Sequence, residues 1–307
     1  VKSSIQKIDI SLPEKITLFI KREDQIHPFI SGNKYRKLKY NLHYLENNHY
    51  DTLVTFGGAF SNHIAATAFA CQEKGINCVG VIRGEELWKE VDHNPTLRFA
   101  QKCGMKFEFV TREQYRDKES IELKTKIQSK YGSCYWLPEG GTNKLAVQGC
   151  CEILTKSDEV YDYIGTAVGT GGTISGIINS ALSHQKILGF PALKNSFLKE
   201  EVQSWVQNRK QWDMINDYHF GGYGKVTEEL IHFINDFYIQ TAIPLDPIYT
   251  GKMMFGIIDM IHKGYFKSGT KILTIHTGGL QGIEGMNQLL AKKNKTLIHY
   301  ANSLKNE

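Results

Sequence analysis

The chain has 307 residues, 41% hydrophobic and 22% charged, with 37 Lys and Arg against 32 Asp and Glu for a formal net charge of +5. That composition excludes a disordered chain, and the basic excess is spread thinly, without the one-sided Lys/Arg block of a nucleic-acid binder. No apolar run reaches the roughly 18 residues a membrane helix needs; the strongest, Met253 to Ile261, is short and contains Asp259.

Ser31-Gly32-Asn33 reads as the cap of a helix from about Lys34 to Leu45, with Leu38, Leu42 and Leu45 on one apolar face. Leu53 to Phe56 is a strand running into Gly57-Gly58, followed by a helix over Asn62 to Lys74. Strands follow at Cys78 to Ile82, Lys106 to Val110 and Cys134 to Leu137, with helices at Pro95 to Lys102 and Ile121 to Tyr131 between them. Leu145 to Thr155 is helical, Tyr161 to Val168 is a strand, and Ile174 to Leu182 is a helix. Lys186 to Phe190 is a strand, Thr227 to Thr241 and Lys252 to Lys263 are helices, and Lys271 to His276 is the last strand. The segment Phe197 to Phe220 takes no assignment. Strands separated by single helices predict βαβ units and an α/β fold with parallel strands.

Six cysteines without CxxC spacing read as reduced, mostly buried thiols of a cytoplasmic protein, and no zinc or other metal site is expected. Val1-Lys2-Ser3-Ser4 opens no apolar stretch of a secretory signal. The cluster Lys34 to Lys39 is not read as a nucleic-acid patch, because helical spacing spreads Arg36, Lys37 and Lys39 around a solvated face.

Three strands end in Gly-Gly turns, at Gly57-Gly58, Gly171-Gly172 and Gly278-Gly279. Ligands of open α/β sheets sit at the carboxyl ends of strands, where glycine lets backbone approach them. The loop Gly169-Thr170-Gly171-Gly172-Thr173 joins a strand to a helix and offers backbone N–H groups and two hydroxyls to an anion. It lacks the Gly-Lys-Ser/Thr of a nucleotide loop and the third glycine of GxGxxG, which suits a single phosphate monoester; the alternative is a tight turn with no ligand. Lys34 falls in the first turn of its helix, at the positive end of the dipole. The bland alternative is a lysine bent into solvent. The functional one is an amine depressed by dipole and desolvation, as a Schiff-base lysine requires. Such a lysine and a phosphate cradle in one chain point to pyridoxal phosphate.

The segments Lys21-Arg22-Glu23-Asp24, Ser31 to Leu38, Gly57 to His63, Pro138-Glu139-Gly140-Gly141, Gly169 to Thr173, Asp246 to Lys252 and His276 to Gly279 follow one another along nearly the whole chain. They resemble the motifs of the 1-aminocyclopropane-1-carboxylate deaminase / D-cysteine desulfhydrase family. That family belongs to the tryptophan synthase β-like, fold type II, pyridoxal-phosphate enzymes. The resemblance implies a two-domain open parallel-sheet fold, with residues 1–36 and 139–307 holding the cofactor and residues 37–138 forming a smaller domain that closes over a small amino-acid substrate. It implies Lys34 as the cofactor-bound lysine and proton carrier, Asn62 at the cofactor's phenolic oxygen, and Ser61, Asn62 and His63 around the substrate. It implies Gly169, Thr170, Gly171, Gly172 and Thr173 as the phosphate loop, and Tyr249 and Tyr223 as catalytic tyrosines near cofactor and substrate. A homodimer is implied too. Two positions depart from the family pattern, Phe60 for Gln and Ala65 for Arg, and both bear on the carboxylate pocket.

Thr250 stands where the family's deaminases carry Glu facing the pyridine nitrogen, and Thr277 where they carry Leu. Both resemble the desulfhydrase branch, which implies α,β-elimination from a D-amino acid such as D-cysteine. The cyclopropane deaminase is the alternative enzyme. A non-catalytic phosphate- or nucleotide-binding α/β protein is the alternative of another class, but it leaves Lys34 and Ser61-Asn62-His63 unexplained.

Overall fold

Alternation of apolar side chains gives each sheet of this protein two apolar faces, and helices cover both. The computed structural model describes residues 1–13, 15–194, 196–207 and 211–300. Its strands are β1 (Ile5–Lys7), β2 (Thr17–Lys21), β3 (Thr52–Gly57), β4 (Asn77–Arg83), β5 (Lys106–Val110), β6 (Cys134–Leu137), β7 (Tyr163–Val168), β8 (Lys186–Pro191), β9 (Gln211–Met214) and β10 (Lys271–Ile275). Its helices are α1 (Asn33–Asn47), α2 (Asn62–Lys74), α3 (Pro95–Lys102), α4 (Arg112–Arg116), α5 (Ile121–Tyr131), α6 (Lys144–Cys150), α7 (Gly172–Ser180), α8 (Leu198–Trp205), α9 (Glu228–Thr241), α10 (Thr250–His262) and α11 (Gly282–Lys292).

The larger sheet has the order β1-β2-β10-β7-β8-β9 and the smaller one β5-β4-β3-β6. Among the described residues the pairings are parallel, except that β1 runs antiparallel to β2 at one edge. Adjacent residues point to opposite faces. Ile272 and Leu188 pack with Leu230, Ile234, Met253 and Ile257 of α9 and α10. Their neighbours Leu273 and Ile187 pack with Ile174, Ile177 and Ile178 of α7. In the smaller sheet Leu53 faces Leu38 and Leu42 of α1 and Ile64 of α2, whereas Val54 faces the side that holds Tyr115 and Ile127.

The predicted elements are present with small shifts at their ends. α6 is shorter than expected, ending at Cys150, and the expected cut between residues 36 and 37 falls inside the continuous α1. The unassigned stretch Phe197 to Phe220 holds α8 and β9. Among the described residues no helix is long and apolar enough to cross a membrane, and the six cysteines are free, all buried except the half-buried Cys151.

Close helix contacts set the spacing of the elements around the site. A side chain at residue 149 would place its Cβ 2.0 Å from the carbonyl oxygen of Arg36, so α6 and α1 touch backbone to backbone. A Cβ at Gly176 would lie 2.4 Å from that of Cys150, bringing α7 equally close to α6. Gly149→Ala therefore has to push α6 off α1. We expect it to destabilise the fold by about 1–3 kcal/mol, the usual cost of overpacking; an unchanged urea midpoint would contradict this packing.

Candidate active site

The carboxyl ends of β3, β6, β7 and β10 converge on one cavity of about 510 Å³, and the glycine turns that follow them supply Gly58, Gly140, Gly169 and Gly278 to its lining. Of the expected residues, Lys34, Ser61, Asn62, His63, Gly169, Thr170, Gly171, Thr173, Tyr223, Tyr249 and Thr277 line it. Gly172 and Thr250 are not in the lining.

The start of α1 is pinned against the turn after β10. Gly32 has φ +63°, and a Cβ there would overlap the Thr277 carbonyl oxygen at 2.0 Å. Asn33 N–H donates to that same carbonyl at 3.2 Å, and Gly32 N–H to Glu23 at 2.9 Å. Asn33 Nδ2 donates to Thr173 Oγ1 at 2.8 Å, joining α1 to the glycine loop. Arg36 donates two bonds of 2.9 Å to the fully buried Glu23. Such bidentate pairs fix direction as well as distance.

Lys34 is thereby held in the first turn, half-buried, with its side chain in the cavity. Burial and the neighbouring Lys37 ammonium hold its amine well below the ordinary lysine value. The helix dipole acts in the same direction. Among the described residues Nζ has no hydrogen-bond or ion-pair partner, so nothing but the lowered proton affinity constrains the amine.

Lys37 corrects the expectation of a solvated basic face. Arg36 and Lys37 are each only 2% exposed. Lys39 alone of the three points outward, paired with Glu152 at 2.7 Å. Lys37 sits one turn beyond Lys34 on the same face, and its Nζ donates to Gly140 O and Thr142 Oγ1 at 2.9 Å and to Thr170 Oγ1 at 3.3 Å. No carboxylate partners it among the described residues; burial lowers its pKa to about 8.

The loop from Gly169 to Thr173 thus carries a cation at its side. Gly171 has φ +80° and caps α7, and Thr170 Oγ1 lies 2.6 Å from Thr142 Oγ1. Gly172 starts the helix behind the lining, with Thr142 Oγ1 2.8 Å from where its Cβ would stand. A helix N-terminus, an ammonium and two hydroxyls form a donor set that fits a phosphate monoester.

Ser61 caps α2, its Oγ accepting from Ile64 N–H at 3.3 Å. Asn62 Oδ1 accepts from Gln281 Nε2 at 3.0 Å, reaching across to the loop after β10. His63 is buried with its ring between Thr55 Oγ1 at 2.7 Å and Thr67 Oγ1 at 3.4 Å. Burial, with Lys34 and Lys37 nearby, holds its imidazole well below the ordinary value. With ring nitrogens engaged and no charge, what His63 offers a carboxylate is its backbone N–H, one of the unpaired donors at a helix start. Phe60 does not stand free where the family has Gln; its ring lies 2.5 Å from where a Cβ of Gly285 would be, packed on α11.

The Asp246-to-Lys252 motif corrects the expectation for Thr250. Asp246 is 1% exposed and accepts from the N–H groups of Ile248, Tyr249 and Thr250 at 2.8–2.9 Å and from Thr250 Oγ1 at 2.7 Å. The Thr250 hydroxyl also accepts from Asp246 N–H at 2.9 Å. It is consumed in capping α10 and does not face the cavity. Tyr249 does, and burial pushes its phenol well up, so it stays protonated. Tyr223 meets it edge to face at 6.3 Å between ring centres.

This arrangement has known counterparts. Residues 7–278 match the family described as pyridoxal-phosphate dependent enzyme. A Pyrococcus horikoshii protein provisionally named 1-aminocyclopropane-1-carboxylate deaminase is 31% identical over 288 residues, 86% of this chain and 85% of its own. The Arabidopsis thaliana protein named bifunctional D-cysteine desulfhydrase/1-aminocyclopropane-1-carboxylate deaminase, mitochondrial, is 31% identical over 89% of this chain and 74% of its own. The crystal structure of an ACC deaminase homologue superposes with a TM-score of 0.78 at 27% identity, covering 100% of this chain and 94% of that one. The two-sheet α/β fold is therefore that of the fold type II group. With a lysine, a phosphate cradle and the family match covering most of its length, this chain is a member of the pyridoxal-phosphate-dependent enzymes, akin to the deaminases and desulfhydrases among them.

Proposed function

We propose that the protein is a D-cysteine desulfhydrase-like lyase, converting D-cysteine and water to pyruvate, hydrogen sulfide and ammonia. When bound, pyridoxal phosphate supplies an electron sink for bonds at the substrate's α-carbon. The residues present fit it: Lys34 for its aldehyde carbon, Lys37 and Gly169 to Thr173 for its phosphate, and Asn62 for its phenolic oxygen. Lys34 Nζ, depressed by burial and by Lys37, takes the α-proton once free. The N-terminus of α2, with Ser61, Asn62 and His63, holds the substrate carboxylate through N–H donors and a favourable dipole. Tyr249, protonated and beside Tyr223, has a proton to give the departing sulfur. The 2-aminoacrylate so released hydrolyses to pyruvate and ammonia.

One observation carries the choice of reaction. The wall that residues 167–174, 249 and 277–279 contribute to the cavity bears hydroxyls, including Thr277, and no carboxylate; the carboxylates of the lining, Glu139 and Glu201, belong to other segments. Asp246 lies behind that wall with its hydrogen bonds already taken by the start of α10. A neutral wall favours a weak sink, which is enough to expel hydrosulfide; opening an unactivated cyclopropane needs a stronger one.

The holoenzyme is expected to release sulfide and pyruvate from D-cysteine and little 2-oxobutanoate from 1-aminocyclopropane-1-carboxylate. Efficient 2-oxobutanoate release with no sulfide from either cysteine enantiomer would favour the deaminase instead. Lys34→Ala should leave the protein colourless with turnover at background; borohydride trapping that labels a different lysine would refute the assignment. Lys37 gives a pH signature. Its amine loses the proton as pH rises through about 8 in the empty site, so cofactor affinity should fall above that pH and be steady below it. Lys37→Met should weaken binding and abolish this alkaline fall in a cofactor titration.

A further inference from the structure

A buried lysine at the end of the Asp246-to-Lys252 motif lies outside the cavity and is not used by the reaction proposed above. Lys252, in the first turn of α10, is 1% exposed. No carboxylate lies within ion-pair distance of it among the described residues. Its Nζ donates to three backbone carbonyls: His219 and Gly222 at 2.9 Å and Ala192 at 3.4 Å. A buried ammonium costs free energy unless its donors are satisfied, and here only peptide oxygens satisfy it.

Two of those oxygens belong to a segment that needs holding. Phe220, Gly221, Gly222 and Gly224 have φ of +51°, +93°, +115° and +69°. A non-glycine residue in that region is strained and persists where its surroundings enforce it. Tyr223 sits in the middle of this run and reaches the cavity lining beside Tyr249. The third oxygen, on Ala192, follows β8, next to Leu193 of the lining. Lys252 leaves the same first turn of α10 that Asp246 caps and that Tyr249 precedes.

We propose that Lys252 is a positioning residue: a tethered cation in a three-carbonyl site that holds the 219–224 segment so that Tyr223 meets Tyr249 at the cavity. This rests on the reading of Tyr223 as a group of the proposed reaction.

The test compares Lys252→Met, Tyr223→Phe and the double variant as holoenzymes, with the amino acid the wild type turns over. Lys252→Met keeps the apolar stem and removes the cation. Since a misplacement of about 1 Å costs on the order of 100-fold, kcat should fall about 10- to 100-fold, with KM within about threefold. The double variant should be no worse than the worse single one, as expected for two residues acting through one contact. Amide exchange in the apoprotein should quicken within 219–224. Lys252→Gln, which keeps N–H donors on a shorter stem, should lie between wild type and Met, and it serves if Met does not fold. Lys252→Ala should recover activity with propylammonium, which replaces the deleted atoms, and not with tetramethylammonium, which has no N–H. Unchanged kcat and unchanged exchange in Lys252→Met, or additive losses in the double variant, would overturn the proposal. A silent Tyr223→Phe together with faster exchange in Lys252→Met would overturn the reading of Tyr223 and leave the clamp supported.

Discussion

The carbonyl oxygen of Thr277 occupies the space where any side chain on residue 32 would have to be. That single contact fixes where α1 begins, and the chemistry of the cavity follows from it. With the start of α1 held on the turn after β10, Arg36 falls on buried Glu23, Lys34 enters the cavity, and Lys37 arrives one turn later beside the glycine loop. Shift that start by one residue, about 100° around the axis, and both amines leave the cavity.

Two amines in one cavity, with carboxylates paired to neither, would be a liability in an ordinary core. Here Lys37 lowers the affinity of Lys34 for a proton, and their surroundings divide the roles. Lys37 has acceptors on three sides and is suited to remain a cation near neutral pH. Lys34 has none among the described residues and holds its proton less tightly. Burial supplies the first part of each shift; proximity supplies the second only to Lys34. The same economy recurs at Lys252, where peptide oxygens stand in for a counter-ion.

Much of this was legible in the chain because it rests on local rules. Strands of four to six apolar residues, glycine turns after them, and a lysine just inside a helix start are all short-range signals. Spacing around the helix suggests a solvated Lys37, but its i, i+3 relation to Lys34 places both on one face. That relation was the available signal. At Thr250 motif position suggests a partner on the ligand, whereas a carboxylate four residues earlier, Asp246, is the nearer acceptor for its hydroxyl. The ring of His63 is engaged by Thr55 and Thr67, of which only Thr67 is one turn away; the Thr55 contact crosses from helix to strand and has no local signature. β9 is only four residues long, whereas α8 carried an available signal, Leu198, Val202 and Trp205 at i, i+4 and i+7.

The strand order has a consequence for how such a molecule is made. β3 to β6 lie within residues 52–137 and pair only with one another. β2, by contrast, pairs in parallel with β10, Thr17 to Lys21 beside Lys271 to Ile275. A chain emerging from its N-terminus can complete the smaller sheet once β6 is out, but β2 waits for its parallel neighbour until β10 has emerged. Contacts of such long sequence separation close slowly, and exposed strand edges invite misassembly meanwhile. Thr277, which seats Gly32, follows β10 directly. The end of α1 that carries Lys34 is therefore synthesised long before the turn that seats it, so a nascent chain holds its reactive amine without its pocket until β10 and Thr277 have emerged.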